Sequence, residues 1–368
     1  MNNLEKKIRA AIFPYDHEFE TVCKYADLLK NIMIEKILSF QGWGIVGENI
    51  HFSDNDLIVE DCLGNVEFNF CDVLWIIESE HDVRDEYLIQ ISERFVTEGK
   101  DIVLSKKIEQ NMFEKLSRMC EKKGRKLYSF VNQNKEKCLQ DDVEVLYNIN
   151  TPIIAVCGMG EKTNKLEVQL ELWKRLKEDG YNVFWISSGY EAAFFGGEQF
   201  PEFMYGTYSE KQKILFYNHF LKWIEQEQKP DIFLLGVPGG IMPVSKKQVG
   251  YFGISAFEVF NAITPDFAIF ALYYGDTDEN YLQEVRKLAE YKFNVETDAF
   301  YLSNVEQDIF SLDKITPVEY IVHDDSEVSE RAKNIKTDEN LVFCREDQAV
   351  LYDYIIKKLS GYGEMETL

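Results

Sequence analysis

The chain has 368 residues, of which 45% are hydrophobic, and a formal net charge of -24 at pH 7. This length is sufficient for two domains, each with its own core. The acidic excess argues against nucleic acid or an anionic membrane as the main partner, because both require clustered Lys and Arg. No apolar run approaches the ~20 residues that cross a bilayer, and the N-terminal residues lack the apolar segment of a signal peptide. We therefore expect a cytoplasmic protein.

The cysteines and histidines do not form a pattern that binds metal. Seven cysteines are spread over the chain without a C-x-x-C pair, and the five histidines never occur at H-x-x-x-H spacing. Neither a disulfide framework nor a zinc site has such spacing. The sequence therefore predicts no metal site.

The first half alternates between short apolar runs and amphipathic segments. Strands are predicted at 10–13, 34–40, 73–77, 101–104 and 127–131, a hairpin arm at 65–70, and helices at about 20–29, 84–97 and 107–122. Such alternation predicts a mostly parallel, Rossmann-like sheet with helices on both faces. The polar segment 132–144 has no periodicity and is the predicted junction, which gives domains over 1–149 and 150–368.

Two pairs of residues in the first half follow predicted strands, where ligands of open α/β sheets bind. These pairs are Asp16 with His17, and Glu78 with His81. A histidine beside a carboxylate can transfer protons, whereas the same residues also serve as helix caps or loop surface. The sequence leaves both interpretations open.

The second half is organised around one strand–turn–helix–strand unit. The apolar run 153–156 predicts a buried parallel strand, and the amphipathic segment after the turn at 157–164 predicts a helix that Gly180 ends. A second strand follows at 181–186. Backbone N–H groups of the turn and of the first helical turn lack partners in such a unit, so the sequence predicts an anion-binding site there.

The remaining elements of the second half continue the alternation. Strands are predicted at 231–236, 267–273 and 299–303, and helices at about 209–226, 254–263, 280–293 and 347–359. The fold class that this pattern predicts is α/β, with two Rossmann-like parallel-sheet domains. An aromatic, glycine-rich stretch at 190–208 and a tight turn at 238–240 separate some of these elements.

The turn after the first of these strands admits three interpretations. As a dinucleotide-binding G-x-G-x-x-G loop it would use Gly158 and Gly160, but Thr163 stands at the third glycine. The acidic residue that should end the second strand and hold a ribose is replaced by Ser187 and Ser188. The sequence therefore disfavours a nicotinamide dinucleotide.

As a phosphate loop, residues 158–163 resemble the G-x-G-K-[ST]-[ST] loop of the deviant P-loop ATPases, the class of the nitrogenase iron protein and dethiobiotin synthetase. In that alignment Glu161 replaces the phosphate-binding lysine, while Lys162 and Lys165 lie close by. The segment 231–240 resembles the D-h-h-h-h-D-x-P-x-G strand of the same class (h for apolar), with Gly236 replacing the aspartate that holds magnesium. In this interpretation the P-loop-like domain is degenerate: ATP or another phosphate ligand could bind, hydrolysis is disfavoured, and the cofactor is left open.

The third interpretation requires no ligand. Glycines let the turn close, Thr163 or Asn164 caps the helix, and Glu167 is available for a capping box with Asn164. Two adjacent glycines facing the loop, Gly239 and Gly240, would nevertheless let a ligand approach closely. The predicted cofactor-binding residues are Gly158, Gly160, Lys162, Thr163, Asn164, Lys165, Ser187, Ser188, Pro238, Gly239 and Gly240, and catalytic residues are left open.

Several segments taken together resemble a known family. They read CGMGEKTNKLEVQL, ISS, FPEFMYG, YNHFLKWIE and PDIFLLGVPGGIMP. Over most of 151–304, and more loosely in the first half, the chain resembles peptide maturation system proteins encoded beside radical-SAM maturases of ribosomally synthesised, modified peptides (RiPPs). The resemblance implies an accessory part in peptide maturation, with a precursor peptide and a radical-SAM maturase as partners.

Two hypotheses remain open. In the first, the protein is a non-catalytic or nucleotide-sensing accessory that presents the precursor peptide or docks the maturase, and exposed Phe and Tyr side chains within 190–208 line a peptide groove. In the second, it is an ATP-dependent, ligase-like enzyme that forms an amide or ester. Lys162 or Lys165 and a carboxylate such as Asp231 or Glu258 would then replace the lost groups.

Overall fold

A computed structural model describes residues 7–52, 56–130, 144–245, 247, 252–275, 277–312, 318–336 and 341–365. The chain divides into two units, the first formed by Met1–Gln133 with Tyr190–Gly197 and the second by Asn134–Gly189 with Glu198–Leu368. The predicted boundary at 149/150 therefore lies inside the second unit, and a short segment from the second half of the chain belongs to the first. Apart from Glu144, the predicted junction at 132–144 lies outside the described residues.

The secondary structure follows the expected alternation. The strands are β1 (Ile8–Phe13), β2 (Ile32–Ser39), β3 (Asn49–His51), β4 (Asp56–Asp61), β5 (Val73–Ile76), β6 (Asp101–Leu104), β7 (Leu127–Ser129), β8 (Ile153–Gly158), β9 (Val183–Ser187), β10 (Glu198–Gln199), β11 (Ile232–Gly236), β12 (Phe267–Leu272), β13 (Ala299–Leu302), β14 (Val305–Gln307), β15 (Tyr320–Val322) and β16 (Val342–Phe343). The helices are α1 (Glu20–Lys24), α2 (Asp85–Thr97), α3 (Gln110–Lys122), α4 (Lys165–Glu178), α5 (Ala192–Phe195), α6 (Glu210–Gln228), α7 (Ile254–Ala262), α8 (Glu279–Phe293), α9 (Ile309–Leu312), α10 (Asp325–Ile335) and α11 (Gln348–Met365).

The first unit contains a seven-stranded sheet in the order β3-β4-β2-β1-β5-β6-β7. Its adjacent strands are parallel except for β3 and β4, which are antiparallel. The apolar residues of β5 are buried on both faces, as expected of a central parallel strand. Because the chain leaves β1 towards β2 and later returns to β5 on the other side, the switch point lies at the carboxyl ends of β1 and β5.

The second unit contains a seven-stranded sheet in the order β10-β9-β11-β8-β12-β13-β16, in which every adjacent pair is parallel. The central strand β8 is buried along its whole length and lies between β11 and β12. A separate antiparallel pair, β14 and β15, follows β13. The predicted α/β class with two parallel sheets is confirmed.

Three details of the first half differ from the sequence prediction. The helix expected at 20–29 is the short helix α1, flanked by 3-10 turns at His17–Phe19 and Ala26–Leu28. The arm expected at 65–70 contains instead the 3-10 turn Phe68–Phe70. The hairpin is formed earlier in the chain, by β3 and β4. Strand β4 also pairs with β2, where Val59 is buried, and this pairing attaches the hairpin to the sheet.

Two findings concern the setting of the protein. Within the described ranges, no helix is both long and apolar enough to cross a membrane. The described cysteines, Cys23, Cys62, Cys71, Cys120, Cys157 and Cys344, are all unpaired and buried. Cys138 lies outside the described residues.

Candidate functional site

The strand–turn–helix of the second unit is formed as predicted, at the end of the central strand. Strand β8 ends at Gly158 and helix α4 begins at Lys165; residues 158–165 are called the glycine loop below. The chain leaves β8 towards β9 and crosses from β11 to β12, so the glycine loop lies at the switch point of the sheet, where α/β proteins bind ligands.

The backbone of the loop identifies which residues occupy the P-loop positions. Lys162 and Asn164 have positive φ values of 58° and 55°, a left-handed conformation that favours glycine and tolerates asparagine. Asn164 directly precedes Lys165, the first residue of α4. In the pattern G-x-x-x-x-G-K-[ST], Asn164 therefore stands at the second glycine, Lys165 at the lysine and Leu166 at the Ser/Thr. The sequence alignment that placed Glu161 at the lysine is wrong, because the helix begins four residues later.

Lys165 has the most distinctive surroundings in the loop. Its Nζ atom donates hydrogen bonds to the carbonyl oxygens of Gly160 (2.8 Å) and Gly239 (2.7 Å). Burial lowers the pKa of the Lys165 ammonium group to about 8. An ammonium group has three N–H donors, and two of them bond these carbonyls within the described part of the chain. Lys165 is thus a partly desolvated cation at the N-terminus of a helix.

The glycines bring the loop and the turn Pro238–Gly240 into direct backbone contact. A Cβ atom on Gly240 would lie 2.4 Å from Cα of Gly160, and the N–H of Ile241 donates to the carbonyl of Gly158 (3.0 Å). The loop itself therefore occupies the space next to Gly240 that was predicted to admit a ligand. Pro238 is buried in this turn.

The predicted cap of α4 is wrong. Asn164 precedes the helix but makes no side-chain cap, because its left-handed φ turns the side chain away from the first-turn N–H groups. Its amide nitrogen instead donates to Asn304 (2.9 Å) and to Glu167 (3.2 Å), and its oxygen accepts from Ser303 (2.8 Å). Thr163 does not cap the helix either, since its hydroxyl donates to Gly160 (3.2 Å).

Glu167 connects this network to the C-terminal part of the second unit. Its carboxylate is buried and forms an ion pair with Arg345 at 2.7 Å. Arg345 also contacts Asp325 at 2.9 Å. Sequence reasoning missed Arg345, Ser303 and Asn304, because residues that follow different strands carry no local signal of their meeting. The one available hint is that Ser303 ends a predicted strand, 299–303, where ligands of α/β sheets bind.

Two aromatic side chains border the loop. The Tyr273 hydroxyl donates a hydrogen bond to the carbonyl of Glu161, and a Cβ atom on Gly160 would lie 2.1 Å from that hydroxyl. The Lys162 ammonium lies over the ring of Tyr320, 4.5 Å from its centroid. Lys162 is therefore held at the rim of the loop, while Lys165 points into it.

The two predicted serines differ in their surroundings. Ser187 ends β9 and is 1% exposed, and its Oγ has no hydrogen-bond partner within the described part of the chain. Because Ile186 pairs with Leu235 in parallel register, Ser187 lies beside Gly236 at the end of β11. Ser188 is exposed to solvent. Ser187 and the glycine loop thus both lie at the carboxyl ends of the strands of this sheet.

The position of the magnesium-binding aspartate is filled by a neutral side chain. A Cβ atom on Gly236 would lie 2.2 Å from Oε1 of Gln169. Gln169 lies on α4, accepts a hydrogen bond from Trp185 Nε1 (2.9 Å) and donates one to the carbonyl of Lys165 (2.9 Å). Sequence reasoning missed Gln169, although its spacing of four residues from Lys165 places both on one helix face.

The carboxylates proposed to replace the lost aspartate lie elsewhere. Asp231 precedes β11 and accepts a hydrogen bond from the N–H of Asn182. It therefore lies at the amino-terminal ends of the strands, whereas the glycine loop lies at their carboxyl ends. Glu258 is buried on α7 and pairs with Lys213 of α6 at 3.3 Å. Neither carboxylate reaches the glycine loop, so these two predicted replacements are wrong.

In the first unit, Asp16 joins two loops. It is buried and accepts hydrogen bonds from the Ser79 hydroxyl (2.8 Å) and the N–H of Glu80 (2.7 Å). His17 is exposed and lies 3.5 Å from Glu48. Asp16 therefore connects the segments after β1 and β5, and its neighbour His17 faces a different carboxylate.

The other predicted pair also separates. The ring of His81 packs against Trp43, with 4.6 Å between the centroids, and Glu78 lies 3.9 Å from Lys106. Glu191 is buried in the same unit, where burial raises the pKa of its carboxyl to about 7. These contacts support a structural role for the predicted pairs.

The aromatic stretch at 190–208 contributes mainly to cores. Its phenylalanines Phe194, Phe195, Phe200 and Phe203 are buried. Tyr205 and Tyr208 remain exposed, with 48% and 37% of their surface accessible. A groove lined by phenylalanines is therefore absent from this stretch, all of which is described.

The comparison with one solved structure agrees with this architecture. The chain is similar to a DUF1611 family protein of Anabaena variabilis, with 12% identity, a TM-score of 0.60, and coverage of 95% of this chain and 100% of that one. Weaker similarities involve chloroplast FtsY of Physcomitrella patens (14% identity, TM-score 0.27, coverage of 60% and 67%) and aspartate semialdehyde dehydrogenase II of Vibrio cholerae (9%, 0.24, 62% and 68%). No family model and no curated protein matches the chain.

The similarity to the DUF1611 protein is one of fold. Fold and site together define an α/β protein of two parallel-sheet units, of which the second carries a P-loop-like strand–turn–helix. The lysine position is retained at Lys165, whereas the Ser/Thr and aspartate positions hold Leu166 and Gly236.

Proposed function

We propose that the second unit binds the phosphoryl group of a small ligand at the glycine loop. The observation that supports this most is Lys165, a partly desolvated ammonium group at the first position of α4, next to helix N–H groups that the preceding Asn164 side chain does not cap. Helix N-termini favour anions through these N–H groups and the helix dipole. A phosphate oxygen would accept a hydrogen bond from the third N–H of Lys165, for which the described residues supply no acceptor.

This proposal is preferred to an ATP-dependent ligase. Such an enzyme requires a carboxylate near the loop that coordinates metal or stabilises the transferred group. Asp231 and Glu258 are held at other places, and Glu167 is already neutralised by Arg345. A binding role requires none of these groups.

The test is phosphate binding by Lys165→Met, with Lys177→Met as the matched control. Lys177 lies on the same helix, is exposed, and is far from its N-terminus. We expect pyrophosphate or ATP to bind the unmodified chain and Lys177→Met equally, and Lys165→Met at least about tenfold more weakly, since hydrogen bonds to charged groups contribute ~1.5–3 kcal/mol. Isothermal titration calorimetry measures this, with circular dichroism to verify folding.

The proposal fails if no phosphate compound binds the unmodified chain. It also fails if Lys165→Met binds as tightly as Lys177→Met. In either case the glycine loop is a structural turn.

We further propose an accessory role in RiPP maturation in the cytoplasm, in which the phosphate-bound protein recruits a precursor peptide or a radical-SAM maturase. The resemblance of the segments in 151–304 motivates this role, and the unpaired described cysteines suit a reducing compartment. Pull-down of a precursor peptide encoded beside the protein tests it. If the immobilised protein retains the leader region of the precursor peptide, the role is supported. If it retains that peptide no better than an unrelated peptide, the role is contradicted.

A further inference from the structure

The residues at the two magnesium positions do not fit a magnesium ion. P-loop proteins hold Mg²⁺ through the loop Ser/Thr and an acidic residue on a neighbouring strand. Here the first position is Leu166, which has no oxygen ligand, and the second is Gly236. Magnesium requires oxygen ligands in near-octahedral geometry. The start of α4 and the end of β11, beside the glycine loop, therefore lack both side-chain ligands of that ion.

The space beside Gly236 is also filled. Gln169 is 1% exposed and occupies the volume that a side chain at Gly236 would need. Its carboxamide is fixed at both ends, by Trp185 Nε1 and by the carbonyl of Lys165. A rigid neutral amide thus stands where a cation would be held.

A second observation at the carboxyl ends of the strands, the buried hydroxyl of Ser187, indicates a ligand. Trp185 faces Gln169 of α4, and alternate residues of a strand share a face, so Ser187 also lies on the α4 side of the sheet. Its hydroxyl is buried and lacks a partner within the described residues. A buried hydroxyl without a partner is unfavourable, and an anionic oxygen would satisfy it.

We infer that the glycine loop takes a diphosphate-length anion without a divalent cation, and that Ser187 donates a hydrogen bond to it. This inference rests on the proposed function and specifies its ligand. Ser187 is two strands away from β8, a distance of about 10 Å at the usual strand spacing. An anion that contacts both Lys165 and Ser187 must extend past the end of β11, which lies between β8 and β9, and this favours a diphosphate over a single phosphate. Free pyrophosphate and nucleoside diphosphates or triphosphates share the required chemistry.

The experiment titrates the full chain with orthophosphate, pyrophosphate and ATP, each in EDTA and each with excess Mg²⁺. We expect pyrophosphate or ATP to bind in EDTA at least as tightly as with Mg²⁺. Ser187→Ala should weaken that binding on the order of tenfold and leave orthophosphate binding unchanged. Comparison of pyrophosphate with ATP identifies whether the ligand is a free phosphate compound or a nucleotide.

Ser92→Ala is the matched control. Ser92 is also a buried serine whose hydroxyl has no partner among the described residues, but it lies on α2 of the first unit. Loss of an unpaired hydroxyl should leave either variant folded, which thermal unfolding verifies. The comparison of EDTA with Mg²⁺ requires no variant at all.

Each outcome decides the inference. Metal-independent binding that Ser187→Ala weakens and Ser92→Ala does not supports it. Binding that requires Mg²⁺, or that Ser187→Ala leaves unchanged, overturns it while the proposed function stands. Absence of binding by every probe under both conditions overturns the proposed function and the inference together.

Discussion

Single residues decide what the glycine loop can bind. Lys165 retains the lysine position of a P-loop, but its ammonium group is shared between two backbone carbonyls. Gly236 and Leu166 remove the metal ligands of that motif. At the aspartate position, the space beside Gly236 is filled by Gln169, which has its own hydrogen bonds.

The titration of Lys165 predicts a pH dependence of ligand binding. Burial lowers its pKa to about 8 in the free protein, and a bound anion favours the charged form and raises that pKa. Affinity should therefore be highest below pH 8 and decrease as the pH rises above it, by up to about tenfold per pH unit. Calorimetry with a phosphomonoester, whose last pKa is about 6, between pH 7 and 9.5 measures this. The prediction would be contradicted if the affinity of the unmodified chain changed with pH no more than that of Lys165→Met.

The contact between Gly236 and Gln169 predicts a specific coupling. Gly236→Ala should lower the free energy of unfolding by about 1–3 kcal/mol, because the new methyl group lies too close to Oε1 of Gln169. Gln169→Ala removes that neighbour, so the double variant should be more stable than the sum of the single effects predicts. Urea unfolding of the four proteins measures the coupling.

Gly240→Ala provides the contrasting case. A Cβ atom there meets the backbone of Gly160 and Met159, which no side-chain truncation can move. Its effect should therefore add to that of Gln169→Ala without coupling. Coupling of similar size in both pairs would show that Gln169 acts on the loop in general.

At the scale of elements, one polar network joins the start of α4 to the ends of neighbouring strands. Asn164 contacts Ser303 and Asn304 after β13, and Glu167 contacts Arg345 after β16. Asparagine tolerates the left-handed conformation of residue 164, and these bonds to Ser303 and Asn304 add to its stability. The C-terminal elements of the second unit therefore hold the loop in shape.

Removal of Arg345 tests this connection. Arg345→Met leaves the buried carboxylate of Glu167 without its ion pair and should lower the free energy of unfolding by about 3 kcal/mol. The double variant Glu167→Gln with Arg345→Met should recover part of that loss, since no buried charge remains. Urea unfolding measures both, and equal stability of the single and double variants would contradict the prediction.

At the scale of the whole molecule, the net charge of -24 opposes the approach of an anion. Charges act over about 30 Å at 0.01 M salt and about 8 Å at 0.15 M. We therefore expect the association rate of pyrophosphate or ATP to increase over this salt range, opposite to the behaviour of proteins that bind nucleic acids. Stopped-flow measurements in KCl test this, and a rate that decreases with salt would show that the local charge of the loop dominates.

Most of the fold could be predicted because its signals are local. Apolar runs such as those of β8 and β11, and glycines such as Gly180 with its left-handed φ of 88°, determine strands and helix ends over a few residues. Three of the strands that were missed, β3, β15 and β16, are short and lie at a sheet edge or in a two-stranded sheet. The longer elements β4 and α10 were also missed, and both have many half-exposed side chains.

The sequence by itself determined the two-sheet α/β architecture, the place of the glycine loop and the replacement of the magnesium-binding aspartate by Gly236. Each of these follows from a pattern of contiguous residues. Only the tertiary structure decided that Lys165 is the lysine of the loop, that Gln169 fills the space beside Gly236, and that Arg345 neutralises Glu167. These contacts join residues from separate strands and helices. Their distances depend on how the chain packs, which no local pattern encodes.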